Sequence, residues 1–567
     1  MNGDQDPSRE GLPDPTLVAR KGMVEWYHPT QLLLTALQVM VWDFVGQGRS
    51  MEESPRSWKI HRFGRREVWF DFAADVGDGW NPAFAIASLI ALPSLEAAGR
   101  PLRHGDFLLL GGDQVYPVPT QSEYRDRFVE PYTQALRDSP GSRALLAIPG
   151  NHDWYDGLVS FSRQFTQGRQ IGNWHTIQEQ SYFALKLPHR WWLWALDVRT
   201  GSHMDFGQRS YFYAAARKLK PGDRVILVAA EPDWVTRDPR DREESHYLTV
   251  ERDFIAPRKA AVHLWLAGDR HHYRRHELRD LDGTTDRNFQ RITSGGGGAF
   301  LFPTHRPVRS NVVVRRCVAR DGKPEVEEHE FVQKTRFPSG VTSFRLSWLN
   351  LLFAVKNWKL GLFPMGVLYW LLTWVTLPPD WPAPSSWRIF LGSPGMLLWL
   401  LTILFFFGVF ADREKAWFRW IGGLAHGLAH VITAIGVTGI VNASFLAGAA
   451  SLTDTLAAHV LNFLAGVVFG PTVFGLYLLL SMNLFGFHSL EAFSSLRIQD
   501  YKHFLRLHID RHGRLEIFPL AIHKAPRVGV GRGRYMLIEE PIVIDPHRRE
   551  EKKAERVKPA VNLDSRA

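Results

Sequence analysis

Two stretches of the chain share one layout and decide its fold: FLLLGGDQVY at 107–116 and ALLAIPGNHD at 144–153. Each begins with a continuous apolar run, which is typical of a strand buried on both faces of a sheet. Each run ends in glycine followed by acidic, amide, imidazole or phenol side chains. Because ligands usually bind where the strands of an α/β sheet end, these polar tips are candidate site residues.

Four further apolar runs follow the same pattern. They are VWFDFAA at 68–74, WWLWALD at 191–197, VILVAA at 225–230 and VHLWLAG at 262–268. Helical stretches alternate with these runs, so the pattern predicts an α/β fold between residues 61 and 340. Asp75 and Asp78 follow the first run, and Asp269 and His271 follow the last.

Together these motifs resemble the calcineurin-like metallophosphoesterase superfamily, in its purple-acid-phosphatase-like variant. The similarity covers about residues 65–305, and its most specific parts are Gly-Asp-x-x-Tyr at 112–116 and Gly-Asn-His-Asp at 150–153. It implies a layered β-sandwich flanked by helices that hydrolyses phosphate esters. Carboxylates gathered at strand tips repel one another, and a cation relieves that repulsion.

The resemblance implies a role for each motif residue. His152 would be the catalytic residue, as a general acid or a phosphate-orienting group. The implied metal ligands are Asp75, Asp113, Tyr116, Asn151, Asp269 and His271. Within this set Asp113 would bridge two metals, and Tyr116 would make good the histidine that many relatives have where this chain has Gly77.

The second metal position departs from the family pattern. Ala230-Glu231-Pro232 stands where relatives have a histidine two residues before proline, and Asp269 replaces the first histidine of Gly-His-x-His. Two bound ions, one bound ion and a degenerate site therefore stay open. The expected cofactor is one or two divalent metal ions, with Mn, Fe, Mg and Zn as candidates, and a carboxylate-rich second position favours Mn or Mg.

Several neighbouring residues have more than one meaning. The glycine-rich stretch 294–298 suits either a phosphate cradle or a plain turn. Asp78 is better explained as a turn, cap or supporting residue than as a ligand. His272, Arg274 and His276 could bind phosphate oxygens, although a solvated basic rim is the commoner meaning of such a run.

Residues 360–487 are almost purely apolar and predict an all-α transmembrane bundle of about four helices. The spans are expected near 361–377, 391–410, 421–446 and 459–487, and Gly470-Pro471 is expected to kink or break the last one. Four histidines lie in this region or directly after it, and for them helix–helix hydrogen bonding is favoured over a metal site or a proton path. They are His426, His430, His459 and His488.

The sequence divides into five predicted segments. They are an N-terminal extension (1–60), the metallophosphoesterase domain (61–340), the transmembrane domain (341–490), a small β-containing C-terminal region (491–545) and a charged tail (546–567). The start shows no secretory signal pattern, and Cys317 is the only cysteine, which excludes a disulfide within the chain. Basic residues flank alternate spans, so the catalytic domain and the C-terminus are expected on the cytoplasmic side of a multi-pass protein of the cell membrane.

The predicted function is that of a membrane-anchored, metal-dependent phosphoesterase that hydrolyses a phosphate ester or pyrophosphate at the cytoplasmic membrane face. Its expected partners are the lipid bilayer and a phosphorylated substrate, lipid-linked as one option. The net charge of +10 is scattered, so nucleic acid is not expected as a partner. The alternative is a non-catalytic sensor or scaffold with a degenerate phosphatase-like domain. Transport has weaker support because the spans contain few charged residues.

Overall fold

The computed structural model describes residues 20–35, 37, 55–64, 66–135, 142–198, 204–236, 245–280, 283–306, 310–320, 323–375, 394–410, 416–446, 451–526 and 534–545. These residues form a mixed α/β structure with two large sheets and a group of apolar helices. A short helix covers residues 29–35, and residues 38–54 lie outside the described residues. The charged tail 546–567 lies outside them as well.

One large sheet contains the first three predicted strands. Its strands in spatial order are β19 (Tyr535–Leu537), β18 (Leu515–Ile522), β17 (Lys502–Ile509), β2 (Val68–Ala73), β5 (Phe107–Leu110), β6 (Arg143–Ala147), β8 (Trp174–Thr176) and β7 (Gln170–Ile171), and β20 (Ile542–Ile544) pairs with β18. Strands β2, β5 and β6 are parallel neighbours, so their carboxyl ends lie at one edge. Every residue of these three strands is buried, as continuous apolar runs predict.

The other large sheet contains the last three predicted strands. Its order is β1 (His61–Arg62), β9 (Phe183–Lys186), β10 (Trp191–Ala195), β11 (Arg224–Val228), β12 (Ala261–Ala267), β14 (Thr285–Ser294), β13 (Tyr273–Arg279), β16 (Lys323–Phe337) and β15 (Val312–Arg320). Strands β10, β11 and β12 are parallel. A separate two-stranded ribbon is formed by β3 (Ser94–Ala97) and β4 (Arg100–Arg103).

The two large sheets face each other across a shared apolar core. That core joins residues such as Phe70 and Leu109 of one sheet to Leu193 and Leu264 of the other. Helices cover the outer face of each sheet: Trp80–Ala91 and Val159–Phe165 on one side, Phe206–Ala216 and His246–Val250 on the other. This is a layered β-sandwich flanked by helices.

The C-terminal strands belong to the sandwich, which corrects the predicted separate region 491–545. Strand β17 pairs with β2 from Val68 to Phe72, and β18 pairs with β17 as a hairpin whose turn contains Gly513. The chain therefore completes its sheet only after it has passed through the apolar helices. The region 61–340 therefore lacks β17 and β18, which complete the sheet beside β2. The sequence could not predict this, because no local pattern encodes so distant a pairing.

The apolar helices correspond only in part to the four predicted spans. Among the described residues, Trp420–Phe445 and Leu452–Phe485 are long and apolar enough to cross a membrane. Gly340–Lys356 and Trp358–Trp374 form a pair bent by 47° that would make one further span, and Pro394–Gly408 is a shorter apolar helix. The helix that contains Pro471 continues without a break from Leu452 to Leu480. A bundle of four spanning helices is thus not confirmed.

Candidate active site

The predicted site residues lie where strands of both sheets end. Asp75 follows β2, Asp113 follows β5, and Asp269 follows β12. All three aspartates have left-handed backbone conformations, with φ values of 58°, 51° and 62°. Aspartate tolerates this region better than most side chains, and non-glycine residues held there are concentrated at functional sites. The backbone therefore turns sharply at each tip and directs these segments toward one place.

The Tyr116 hydroxyl is the common contact of three predicted ligands. Its oxygen lies 3.1 Å from Asp75 Oδ1, 3.0 Å from Asp113 Oδ2 and 3.0 Å from His271 Nε2. His271 Nε2 also lies 3.6 Å from Asp75 Oδ1. All four residues are buried, none being more than 3% exposed. The structure thus brings Asp75, Asp113, Tyr116 and His271 together.

This group has more acceptor atoms than hydrogens to share. His271 Nδ1 lies 2.8 Å from the carbonyl oxygen of Phe300, which can only accept, so in the neutral ring Nδ1 bears the proton and Nε2 is bare. Ionised carboxylates have no hydrogen to donate, and the Tyr116 hydroxyl has one. Three acceptors therefore compete for a single hydrogen, which is the situation that a bound cation would resolve.

The four atoms also suit a cation in kind and in spacing. Ligand bonds of about 2.0–2.2 Å place neighbouring ligands about 2.8–3.1 Å apart in an octahedron and about 3.3–3.6 Å apart in a tetrahedron. The three distances from the Tyr116 oxygen, 3.0, 3.0 and 3.1 Å, match neighbouring ligands of one octahedral ion, whereas the 3.6 Å between His271 Nε2 and Asp75 Oδ1 is longer than that spacing. In the part of the chain that the structure describes, however, no three His, Cys, Asp or Glu side chains alone are arranged to hold a metal ion. A cation held at this place would therefore need the phenol oxygen of Tyr116 as a further ligand.

The electrostatics of the site follow from its burial. Burial, with the charges of Asp113 and Asp269 added, raises the pKa of Asp75 well above its usual value. Burial and the charge of Asp269 raise the pKa of Asp113 to about 7. Burial also lowers the pKa of His271 well below its usual value. The raised pKa values of Asp75 and Asp113 reflect burial and repulsion between carboxylates, which a bound cation would relieve. The same cation would lower the pKa of His271 further and so favour its neutral, metal-binding form.

The predicted catalytic residue lies on the turn that wraps Asp113. The main-chain N–H of His152 donates to Asp113 Oδ1 at 2.9 Å, and Gly150 is packed so closely that a Cβ there would lie 2.1 Å from the same oxygen. The His152 ring lies 4.4 Å from the Tyr116 ring, and its Nδ1 is 2.9 Å from the Pro117 carbonyl oxygen. That contact fixes the ring through Nδ1. Burial lowers the pKa of His152 to about 4.

Asp153, for which the motif implied no separate role, supports this turn. Its carboxylate accepts hydrogen bonds from the main-chain N–H groups of Gly150 and Gln114 at 2.8 and 3.3 Å, and from the Tyr124 hydroxyl. One side chain therefore links the turns that follow β5 and β6. Burial raises its pKa to about 8.

The second metal position is incomplete in the structure. Asp269 takes part through its main chain, since its N–H donates to Asp75 Oδ2 at 3.0 Å, while its side chain is 29% exposed and lies 3.5 Å from Arg270. Ala230 packs against the site, because a Cβ on Gly112 would lie 2.8 Å from its methyl group, yet it offers no donor atom. Asn151 is only partly buried and is not part of the Tyr116 cluster. These residues do not form a second set comparable with the first.

An N-terminal segment covers the site, which the sequence did not predict. The Trp26 ring lies 5.8 Å from His152, 6.4 Å from Tyr116 and 6.1 Å from Phe300. Asp78 holds this segment, since it accepts hydrogen bonds from Val24 N at 2.8 Å and Phe300 N at 3.1 Å. Asp78 therefore holds the N-terminal segment and the chain at Phe300 in place beside the site. The tryptophan lies in a short segment without a recognisable motif, so no signal pointed to it.

The glycine-rich stretch is explained by close packing. A Cβ on Gly295 would lie 2.4 Å from Asp75 Oδ2, and one on Gly298 would lie 2.1 Å from the Val76 carbonyl oxygen. The stretch thus lies directly on the chain that follows β2. His272, Arg274 and His276 are at most 4% exposed, which corrects the expected solvated rim.

Comparisons with known proteins find only distant structural similarity. No family model matches it, and no curated protein matches it. GAP50, the anchor in the inner membrane complex of Plasmodium, is 13% identical with a TM-score of 0.30, covering 50% of this chain and 94% of that one. Purple acid phosphatase PPD1 of yellow lupin (Lupinus luteus) is 13% identical with a TM-score of 0.29 over 49% of this chain and 55% of that one. PhoD is 9% identical with a TM-score of 0.29 over 47% and 69%. Support for a function therefore comes from the residues of this chain.

Proposed function

We propose that the chain is a metal-dependent phosphoesterase attached to a membrane, acting on a phosphate ester or pyrophosphate. The observation on which this depends is the buried cluster around the Tyr116 hydroxyl. It combines two carboxylates, a phenol oxygen and a bare imidazole nitrogen at ligand-to-ligand distances. Such a donor set suits Fe, Mn or Zn, and Mg remains a candidate because most of the atoms are oxygens.

The residues of the chain would act as follows. Asp75, Asp113, Tyr116 and His271 would hold the ion, which when bound would supply Lewis acidity toward a phosphoryl group and activate water. His152 is fixed through Nδ1, which leaves Nε2 as the atom that meets a substrate or leaving-group oxygen. Trp26, beside His152, excludes water from that side of the site.

Membrane attachment is supported by the surface of the helices. Side chains such as Phe405, Ile440 and Leu452 are 74%, 70% and 77% exposed, which is unfavourable in water and natural against lipid. We propose that the helices cross the membrane with the sandwich on the cytoplasmic side, in line with the basic residues that flank them. A lipid-linked phosphate is then a natural substrate, because the site would stay near the bilayer.

The proposal is tested by turnover of the full chain in detergent. Residues 61–340 alone are unsuitable because β17 and β18 complete the sheet. We expect hydrolysis of p-nitrophenyl phosphate or its bis ester after loading with Mn, Fe, Mg or Zn, and loss of it with a chelator. Asp113→Asn should reduce the rate by at least about 100-fold, the scale of a lost electrostatic group in an active site.

Asp253→Asn is the matched control for this assay. Asp253 is a carboxylate in surface ion pairs with Arg209 and Arg252, away from the strand tips. We expect its rate to equal that of the parent chain. Equal turnover in Asp113→Asn and the parent would rule out the proposed site.

A non-catalytic sensor or scaffold is the second candidate. The observation that favours it is the incomplete second metal position, where Ala230 has no donor and the Asp269 side chain points partly to solvent. This candidate predicts metal binding without turnover on either ester. The same assay, combined with a metal-binding measurement, separates the two functions.

A further inference from the structure

The loop that follows the site contacts the apolar helices. Its residues 302–306 follow Phe300, which lies beside His271. The main-chain N–H of Thr304 donates to Ser343 Oγ at 2.9 Å, and its hydroxyl donates to the Pro338 carbonyl oxygen at 2.8 Å. The Arg306 side chain donates to the carbonyl oxygen of Asn483. The loop is thus held rigidly at the start of the helix Gly340–Ser347.

Two arginine side chains meet at this loop without a carboxylate. Arg274 Nη2 and Arg336 Nη1 donate to the same acceptor, the Thr304 carbonyl oxygen, at 3.1 and 3.2 Å. Arg274 is 1% exposed, and its Nε has no hydrogen-bond partner among the described atoms. Arg336 is exposed to solvent. A buried guanidinium without a carboxylate partner is costly, so this arrangement favours an anion that would accept from both side chains.

The charges near Arg274 also favour a bound anion. Burial, together with the positive charges of Arg336 and Arg270, lowers the pKa of Arg274 to about 10. Within the described part of the chain, no carboxylate forms an ion pair with Arg274 or Arg336. The positive potential is therefore available to a ligand.

An exposed apolar face begins next to the arginines. Phe344 packs edge-on against His305 at 5.8 Å and against Trp348 at 6.3 Å. This face continues along the helical segment after Gly340, and its side chains are 43–73% exposed. They are Val341, Phe344, Trp348, Leu351, Leu352 and Val355. Tryptophan beside positive charge is typical of the interface between bilayer and water.

We propose that Arg274 and Arg336 bind the phosphate of an acidic phospholipid whose acyl chains lie along the face from Phe344 to Val355. The phosphate group matches the two guanidinium groups, and the acyl chains match the adjacent apolar side chains. A free phosphate would leave that face uncovered, so the lipid accounts for both features. The inference rests on the membrane placement proposed above but not on catalysis, and it concerns a site separate from the Tyr116 cluster.

The test measures lipid binding by the full chain in detergent with native mass spectrometry. Phosphatidylglycerol is the anionic probe, and phosphatidylcholine is the zwitterionic comparison. We expect preferential binding of phosphatidylglycerol, weakened about tenfold in Arg336→Gln, which is the effect of one lost charge-assisted hydrogen bond. Arg336 is exposed, so this variant should fold. Arg274→Gln should weaken binding in the same way.

Arg279→Gln is the control, since Arg279 lies on the same strand in a surface pair with Glu330 at 2.8 Å. It should bind phosphatidylglycerol like the parent chain. Equal binding of both lipids, or unchanged binding in Arg336→Gln, would overturn the proposal. Displacement of phosphatidylglycerol by inorganic phosphate alone would overturn the lipid assignment and leave a site for a free anion. None of these readouts uses turnover, so a failed phosphatase assay does not affect them.

Discussion

Three aspartates serve the candidate site through both their charge and their backbone. Asp75, Asp113 and Asp269 all lie in the left-handed region, where most side chains cost about 1–3 kcal/mol. Asparagine tolerates the same conformation as aspartate. A change of Asp113 to asparagine therefore removes the charge and keeps the turn, whereas alanine would change both. Substitution by asparagine at these three positions therefore tests the role of the charge alone.

Lys502 gives a prediction about pH at the residue scale. Its ammonium group is fully buried, and burial lowers its pKa from 10.5 to about 7. Between these values the unfolded chain binds a proton at this lysine and the folded chain does not, so the free energy of unfolding rises with pH across that window. Lys502→Met should remove that part of the rise, measured as melting temperature against pH in detergent.

Lys524→Met is the control for this experiment because Lys524 is exposed just after β18. Its melting temperature should follow that of the parent chain at every pH. The same pH dependence in Lys502→Met and the parent would show that Lys502 is not the responsible group.

At the scale of elements, one buried ion pair joins the C-terminal strand β17 to β2. Arg506 Nε and Nη2 lie 2.7 and 3.2 Å from the two oxygens of Asp71, and both side chains are at most 2% exposed. Asp71→Ala would leave a buried guanidinium without its partner. We expect a loss of about 3–5 kcal/mol in the free energy of unfolding, measured by chemical denaturation in detergent.

A surface pair in the same sheet serves as the comparison. Arg511, whose side chain is 73% exposed, lies 3.5 Å from Glu67. Arg511→Ala should change the free energy of unfolding by less than about 1 kcal/mol. Equal effects of Asp71→Ala and Arg511→Ala would contradict the structural role given to Arg506.

The sequence predicted those elements whose pattern is local. Each of the six apolar runs contains a strand, because burial on both faces leaves a visible mark in a few residues. The motif residues Asp75, Asp113, Tyr116 and His271 could be predicted to converge because they follow such strands. Arg506 could not be assigned to Asp71, 435 residues away, since nothing local encodes that pairing. The contacts of Trp26 with the site could not be predicted either, because nothing local in the sequence encodes them.

At the scale of the whole molecule, the apolar helices are inserted between strands of one sheet. Strand β2 comes before the helices in the chain and β17 comes after them, yet they are neighbours. Both ends of the helical region are therefore held by the sandwich. The site loop at Leu301 also packs among the helical residues, which fixes the site close to them.

This arrangement predicts that residues 61–340 will not fold as a domain. The fragment would expose the edge of β2 and would lack Leu505 and Ile517, which β17 and β18 contribute to the shared apolar core. We expect aggregation in size-exclusion chromatography and no cooperative thermal transition in circular dichroism, with the full chain as control. A monomeric fragment that unfolds cooperatively would contradict the shared sheet.

The central claim, that the Tyr116 oxygen and three donor atoms of Asp75, Asp113 and His271 hold a cation, is tested most directly by elemental analysis of the full chain purified in detergent. We predict at least one tightly bound Fe, Mn, Zn or Mg ion per chain in the parent, and its loss in Asp113→Asn and in Tyr116→Phe. Asp253→Asn should retain the ion. A parent chain without bound metal after incubation with each ion, or the same content in Asp113→Asn, would contradict the account.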